Sequence, residues 1–323
     1  MKKRRLGRSV LEVSPLCFGG NVFGWTADEA QSFKLLDAFT GAGFNFIDTA
    51  DSYSTWAPGN KGGESETIIG KWLKARGNRD KVVIATKVGS EVAGKKGLSR
   101  AYILAEVEES LRRLQTDYID LYQSHRDDPA TPVDETLQAY AQLVQEGKVR
   151  VIGASNFTAE RLTQALEASR QQGLPRYESL QPNYNLYERA EFETRLEAIC
   201  LKEGLGVIPY FSLASGFLTG KYRSASDAEK SARGKFVQKY FNDRGFRILQ
   251  ALDQVAKENH STPARVALAW LMARPSITAP IASATSVEQL NELIESTRLS
   301  LDAQAIELLN GASAYEGEPA RIA

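Results

Sequence analysis

An α/β fold in which eight parallel strands, each followed by a helix, close into a barrel is what this sequence predicts, and three observations carry that expectation. Short apolar runs alternate with segments of helical periodicity along the whole chain, which is the pattern of parallel βαβ units. Counted generously, the runs number eight, and eight such units in 323 residues fit a (β/α)8 TIM barrel. The rival is a doubly wound dinucleotide-binding sheet, which carries GxGxxG after its first strand. Phe18-Gly19-Gly20-Asn21-Val22-Phe23-Gly24 does not supply it.

Taken in order, residues 1–14 read as a polar N-terminal β-hairpin ahead of the barrel. The strand candidates are then residues 15–18, 44–48, 81–87, 118–122, 149–155, 179–181, 205–210 and 278–281. Between Ala27 and Gly41 the residues Ala30, Phe33, Leu36 and Phe39 recur at helical spacing. Ser99 is placed to cap a helix carrying Ile103, Val107, Leu111 and Leu114, and Thr158 to cap one through Leu162 and Leu166. Asp134 is expected to begin the helix of Leu137 to Val144, and another starts near Ser286. After the seventh strand runs a long loop, residues 211–244, basic and rich in Gly and Ser; long insertions of that kind are often functional. Nothing resembling a linker divides the chain, so one domain over residues 1–323 is expected.

Composition narrows the function classes. Forty Lys+Arg balance forty Asp+Glu, which argues against a nucleic-acid or membrane partner held by bulk charge. The neutral balance leaves a homo-oligomer open. Cys17 and Cys200 form no CxxC pair, and the two histidines, His125 and His260, make no His-rich metal site. The basic start Met1-Lys2-Lys3-Arg4-Arg5 is followed by no apolar stretch, and runs such as Val266 to Ala273 fall far short of the roughly 20 residues of a spanning helix. A cytoplasmic protein is expected.

In a barrel of this kind the carboxyl ends of the strands face the active site. The second run ends in Asp48, with Tyr53 just beyond; the third ends in Lys87; the fourth runs into His125. Each has an ordinary explanation taken singly: a turn cap, a packed loop ring, a solvated lysine, a core histidine. Together on successive strand ends they bring an acid, a phenol, an amine and an imidazole to one mouth. That set suits acid–base chemistry, with Lys87 expected to lower the Tyr53 pKa from about 10, Asp48 to hold the lysine, and His125 to orient a substrate oxygen.

Longer motifs make the reading specific. Residues 43–53, Gly-Phe-Asn-Phe-Ile-Asp-Thr-Ala-Asp-Ser-Tyr, resemble the first signature of the aldo-keto reductases. Residues 107–114 with Asp117 to Leu121 resemble the second, and Gly62 to Glu66 and Gly147 to Phe157 fit as well. The resemblance covers nearly the whole chain. It implies a barrel reducing carbonyls with NADPH, without metal or flavin, in which Tyr53 is the general acid, tuned by Lys87 and Asp48, and His125 positions the carbonyl.

The same resemblance implies cofactor contacts. Ser155, Asn156 and Gln181 would meet the nicotinamide carboxamide, and the Tyr210 ring would stack on the nicotinamide. Ser212, Leu213, Gly216 and Lys221 would surround the pyrophosphate, and Ser283, Thr285, Gln289 and Glu292 the adenosine; Asn21 would also contact the cofactor. Relatives that prefer NADPH often place a cation near Ser283 or Thr285 and an Asn where Leu293 stands, so NADH stays open as a second cofactor. Trp25, Trp56 and Tyr187 are expected to line a pocket for a small carbonyl substrate. Two other readings remain: a nucleotide-binding regulatory or sensor subunit, as among potassium-channel β-subunits, and a barrel isomerase or lyase for phosphorylated metabolites. The intact set of four weighs against the first; the lack of glycine in Ser283-Ala284-Thr285-Ser286 weighs against the second.

Overall fold

The computed structural model describes residues 2–229 and 234–316. Strands β1 (Arg4–Arg5) and β2 (Glu12–Val13) pair antiparallel as the N-terminal hairpin. Eight more follow: β3 (Cys17–Gly19), β4 (Phe46–Asp48), β5 (Val83–Val88), β6 (Ile119–Ser124), β7 (Val149–Ser155), β8 (Tyr177–Gln181), β9 (Gly206–Val207) and β10 (Ile281–Ala282). These form one parallel sheet in the order β10-β3-β4-β5-β6-β7-β8-β9. Backbone hydrogen bonds join its two edges, from Thr278 N to Val207 O at 2.8 Å and from Ile281 N to Pro209 O at 2.9 Å. The curled sheet with helices between its strands is consistent with the expected (β/α)8 barrel. No helix among the described residues is long and apolar enough to cross a membrane.

Strand ends moved where local chemistry overrides the apolar run. β9 stops at Val207, short of Pro209, which has no N–H to give a ladder. The caps read from sequence are present: Ser99 accepts from the Tyr102 amide and Thr158 from Arg161; the helix expected near Ser286 starts there, with Ser286 accepting from the Gln289 amide. Asp28 caps the first helix (Glu29–Gly41) by accepting from Gln31. Asp134 does not begin its helix; Val133–Gln145 follows Pro132, and Asp134 sits in the first turn, where a negative charge meets the positive end of the dipole. The connection after β9 holds short helices at Ala214–Thr219, Ala225–Glu229 and Gly234–Val237. Residues 230–233 of that connection and Met1 of the hairpin lie outside the described residues.

Period-two alternation places the site. Along β5, Ile84 and Val88 pack outward with the helices, while Val83 and Ala85 fill the barrel interior. Lys87 is next in that inward row. The same row runs from Phe46 to Asp48 on β4, from Leu121 to Gln123 on β6, and from Val151 through Gly153 to Ser155 on β7. Each inward row is apolar at its start and polar at its carboxyl end. Gly153 is required here: a Cβ would lie 2.3 Å from Ser179 Oγ and 3.1 Å from Gln123 Cγ.

The hairpin is less polar inside than its sequence suggests. Leu6, Leu11 and Val13 are buried with Phe46, Val83, Leu121, Val151 and Ile208, plugging the amino-terminal end of the barrel. The second signature segment is joined to the Gly62 to Glu66 segment by an ion pair. Arg113 of the helix Arg100–Leu114 donates to Glu66 at 2.7 Å and to Glu106 at 2.6 Å, and it packs where a side chain on Gly63 would strike it.

Leu6→Ala should therefore open a cavity in the barrel floor and cost about 2–4 kcal/mol in urea unfolding. A loss under about 1 kcal/mol would mean the hairpin does not support the core.

Candidate active site

A buried ion pair stands at the centre of the barrel mouth. Lys87 Nζ donates to Asp48 Oδ2 at 2.7 Å, to the Thr49 carbonyl at 2.8 Å and to Tyr53 OH at 2.8 Å. Tyr53 OH in turn donates to Asp48 Oδ2 at 3.0 Å. Both Lys87 and Asp48 are fully buried, so all three ammonium protons find acceptors and the charge is compensated where water cannot reach it. The other carboxylate oxygen, Asp48 Oδ1, accepts from Gln181 Nε2 at 2.9 Å and Gln123 Nε2 at 3.3 Å.

Tyr53 is the member of this group that meets the open cavity, a space of about 1440 Å³ at the carboxyl ends of the strands. His125 lines it too, with ring centroids 6.0 Å apart. His125 Nδ1 and Ser52 Oγ are 3.3 Å apart. Burial, then the charges of Lys87 and Arg126, hold the imidazole well below its usual range, so it is neutral at pH 7. The Tyr53 phenol lies well above its usual range, through burial first and then the charge and hydrogen bond of Asp48. This corrects the expected lowering by Lys87: the Asp48 carboxylate touches the same hydroxyl and offsets the ammonium. The site thus presents a protonated phenol and a neutral imidazole to whatever enters.

The remaining expected residues can be placed one by one. Ser155, Asn156, Gln181 and Tyr210 line the cavity beside Tyr53. Asn156 Nδ2 donates to the His125 carbonyl at 2.9 Å, and Tyr210 OH to Asn156 Oδ1 at 2.7 Å. Ser212, Leu213, Gly216 and Lys221 form the next stretch of wall. Gly216 has φ +96°, and a Cβ there would lie 3.1 Å from Lys221 Cε, so glycine lets the lysine lie against the backbone. Asn21 accepts from Ser283 Oγ at 2.5 Å, and both line the cavity. At its far end the Gln289 carboxamide oxygen accepts from the Thr285 amide (3.0 Å) and hydroxyl (3.1 Å). Glu292 is held by Arg265 at 2.6 Å and Thr262 at 2.7 Å.

Amide groups near the phenol, a lysine against a glycine turn midway, and a capped helix start at Ser286 make a donor set that fits an elongated dinucleotide. The fit is one of chemistry and of size.

The aromatic residues divide. Trp56 lines the cavity and packs against Tyr53 at 6.0 Å, and Trp25 stands behind it, edge-on at 5.8 Å. Tyr187 is a correction. It packs on Tyr240 at 4.7 Å, accepts from Asn242, and borders a separate cavity of about 480 Å³ beyond Asn156 and Tyr210. Its place after β8 suggested the mouth, but the chain turns away at Asn185, whose side chain accepts from the Tyr187 and Glu188 amides. Three wall or support residues were missed: Gln123, Arg126 and Phe211. Gln123 shares the inward row of Leu121, a signal present in the alternation of β6; Phe211 sits at φ +52°, which no sequence pattern announces.

Comparison with known proteins gives the family. The sequence model of the aldo/keto reductase family matches residues 15–314. An uncharacterized oxidoreductase of Bacillus subtilis, YrpG, is 38% identical, covering 96% of this chain and 95% of its own. The norsolorinic acid reductase of Aspergillus flavus is 32% identical over 95% of this chain and 79% of its own length. A probable voltage-gated potassium channel subunit beta of Arabidopsis thaliana is 32% identical over 90% of each. The chain belongs to the aldo/keto reductase family, a family of oxidoreductases that use nicotinamide cofactors.

Lys87→Met should leave the Asp48 carboxylate buried without its cation and cost about 3–5 kcal/mol in denaturant unfolding. Adding Asp48→Asn should restore part of that loss. Equal losses for the single and double variants would mean the pair is not the source.

Proposed function

We propose that this chain is an NADPH-dependent carbonyl reductase of the cytoplasm, interconverting aldehydes or ketones and their alcohols, with Tyr53 as general acid. The observation that carries the proposal is the Tyr53 hydroxyl on the cavity wall, 2.8 Å from Lys87 Nζ and 3.0 Å from Asp48 Oδ2, beside His125. Bound reduced nicotinamide supplies the hydride. Tyr53 gives its proton to the carbonyl oxygen, and the product is the alcohol. As negative charge develops on the phenol oxygen, Lys87 stabilises it through the hydrogen bond already in place. Neutral His125 orients the substrate oxygen, and in the oxidative direction Tyr53 takes the proton back.

Ser155, Asn156 and Gln181 would hold the carboxamide of the cofactor and Tyr210 its ring. Gln123 keeps a donor on Asp48 when Gln181 turns to that task. Asn21, Ser212, Leu213, Gly216 and Lys221 would hold the pyrophosphate; Ser283, Thr285, Gln289 and Glu292 would hold the adenosine end. The Thr285 hydroxyl and the free amides starting the helix Val287–Glu295 are the donors proposed for the 2′-phosphate. NADH is the second cofactor to test. A relative named for reducing norsolorinic acid supports carbonyl reduction as the reaction.

The test is cofactor oxidation with NADPH and NADH in parallel against aldehydes, dicarbonyls and ketones. Tyr53→Phe should lower the reduction rate by about 10²–10⁴-fold and leave cofactor affinity within about twofold. Activity surviving that change would overturn the assignment. The pH profile has a stated sign. His125 gains charge only as pH falls through a pKa depressed below 6.5, and Tyr53 loses its proton only as pH rises through one raised above 10. Reduction should therefore be flat between those limits, and a break near pH 8 would contradict it.

A further inference from the structure

Directly after His125, on the wall of the same cavity, stands Arg126. Its guanidinium is exposed, and among the described residues no hydrogen bond or ion pair engages it. The charges that follow it are already committed. Asp127 pairs with Arg161 at 2.8 Å, and Asp128 accepts from the Leu98 amide, the Ala130 amide and the Thr131 hydroxyl. Arg161 also donates to the Asp128 and Thr131 carbonyls, at 3.1 and 2.8 Å. The loop after β6 is thus pinned on every side except at Arg126.

The positive charge of Arg126 reaches both flanks of the reaction site. It lowers the imidazole of His125 and counteracts the upward push on the phenol of Tyr210, which comes from a different strand end. Lys96 lines the same cavity, exposed and without an ion pair among the described residues. Glu91 is an opposing charge in the same lining, as are Asp127 and Asp128, whose partners are given above. Two large aromatic rings, Trp56 at 49% exposure and Phe211 at 48%, line the same cavity, packed against Tyr53 and Tyr210 respectively. Exposed rings at a cavity edge cover apolar surface once it is occupied. One cavity therefore carries both exposed aromatic surface and a planar cation with no ion pair among the described residues.

We propose that Arg126, seconded by Lys96, is an anion subsite, and that the substrates are carbonyl compounds carrying a carboxylate on an apolar, preferably aromatic, body. This rests on the reductase reading above. A guanidinium suits the role because its fork meets a carboxylate through two parallel hydrogen bonds and is weakly hydrated.

The experiment compares para-carboxybenzaldehyde with its neutral methyl ester in wild type, Arg126→Met and Arg126→Lys. It reads the ratio of kcat/KM for acid over ester, together with binding of para-(hydroxymethyl)benzoate by tryptophan fluorescence. Wild type should favour the acid. The ratio should fall by about tenfold or more in Arg126→Met, as expected for a hydrogen bond to a charged group, and less in Arg126→Lys, with KM carrying the change rather than kcat. Turnover with a ratio that Arg126→Met leaves unchanged would overturn the subsite and keep the reductase. Binding of the carboxylate that depends on Arg126, with no turnover of either aldehyde, would support the subsite and remove the reductase. Neither turnover nor binding would remove both.

Discussion

A lysine and an aspartate placed in the middle of an apolar barrel are the constraint on which the site depends. Isolated, either charge would be prohibitive to bury. They coexist because every polar atom of the group has a partner: three acceptors around Lys87 Nζ, and two donors from glutamine side chains on Asp48 Oδ1. That completeness leaves one group able to exchange a proton with the cavity, the Tyr53 hydroxyl. Burial and the Asp48 carboxylate keep it protonated, and in the proposed reaction Lys87, already in contact, would receive the charge that appears when the proton leaves. Stability and chemistry are set by the same hydrogen bonds.

Much of this was legible in the sequence because strands bury alternate residues. The apolar runs located the strands, and their carboxyl ends located Asp48, Lys87 and His125. The same alternation, followed one residue further along β6, points to Gln123; the strand-end rule passes over it because it lies inside the strand. Asp134 misled because a helix can start at the residue after a proline, which leaves the acid within the first turn. Tyr53 was found but its ionisation was misjudged. Sequence order shows that a lysine approaches the phenol, but not that the aspartate touches the same oxygen.

The walls away from the strands were less legible. Asn156, Phe211, Ala214 and Ser215 all have positive φ, a conformation costly for residues with side chains and one that clusters at functional loops. No local pattern marks it. Tyr187 shows the complementary failure: its position after a strand end suggested the mouth, and an asparagine-centred turn carries it to another cavity. The strands fix Asp48, Lys87, Gln123 and Gln181, and the loops supply Tyr53 and most of the cavity wall. The exposed Arg126, lining the same cavity as Trp56 and Phe211, belongs to the second category.

The central claim is that Tyr53 is held protonated by its buried partners. An alkaline difference titration tests it most directly, recording tyrosinate absorbance in wild type and subtracting Tyr53→Phe to remove the other tyrosines among the 12 in the chain. The account predicts no signal assignable to Tyr53 until the pH has passed the ordinary tyrosine range of about 10. A Tyr53 signal titrating near pH 8 would show that Lys87 dominates over Asp48, and would contradict it.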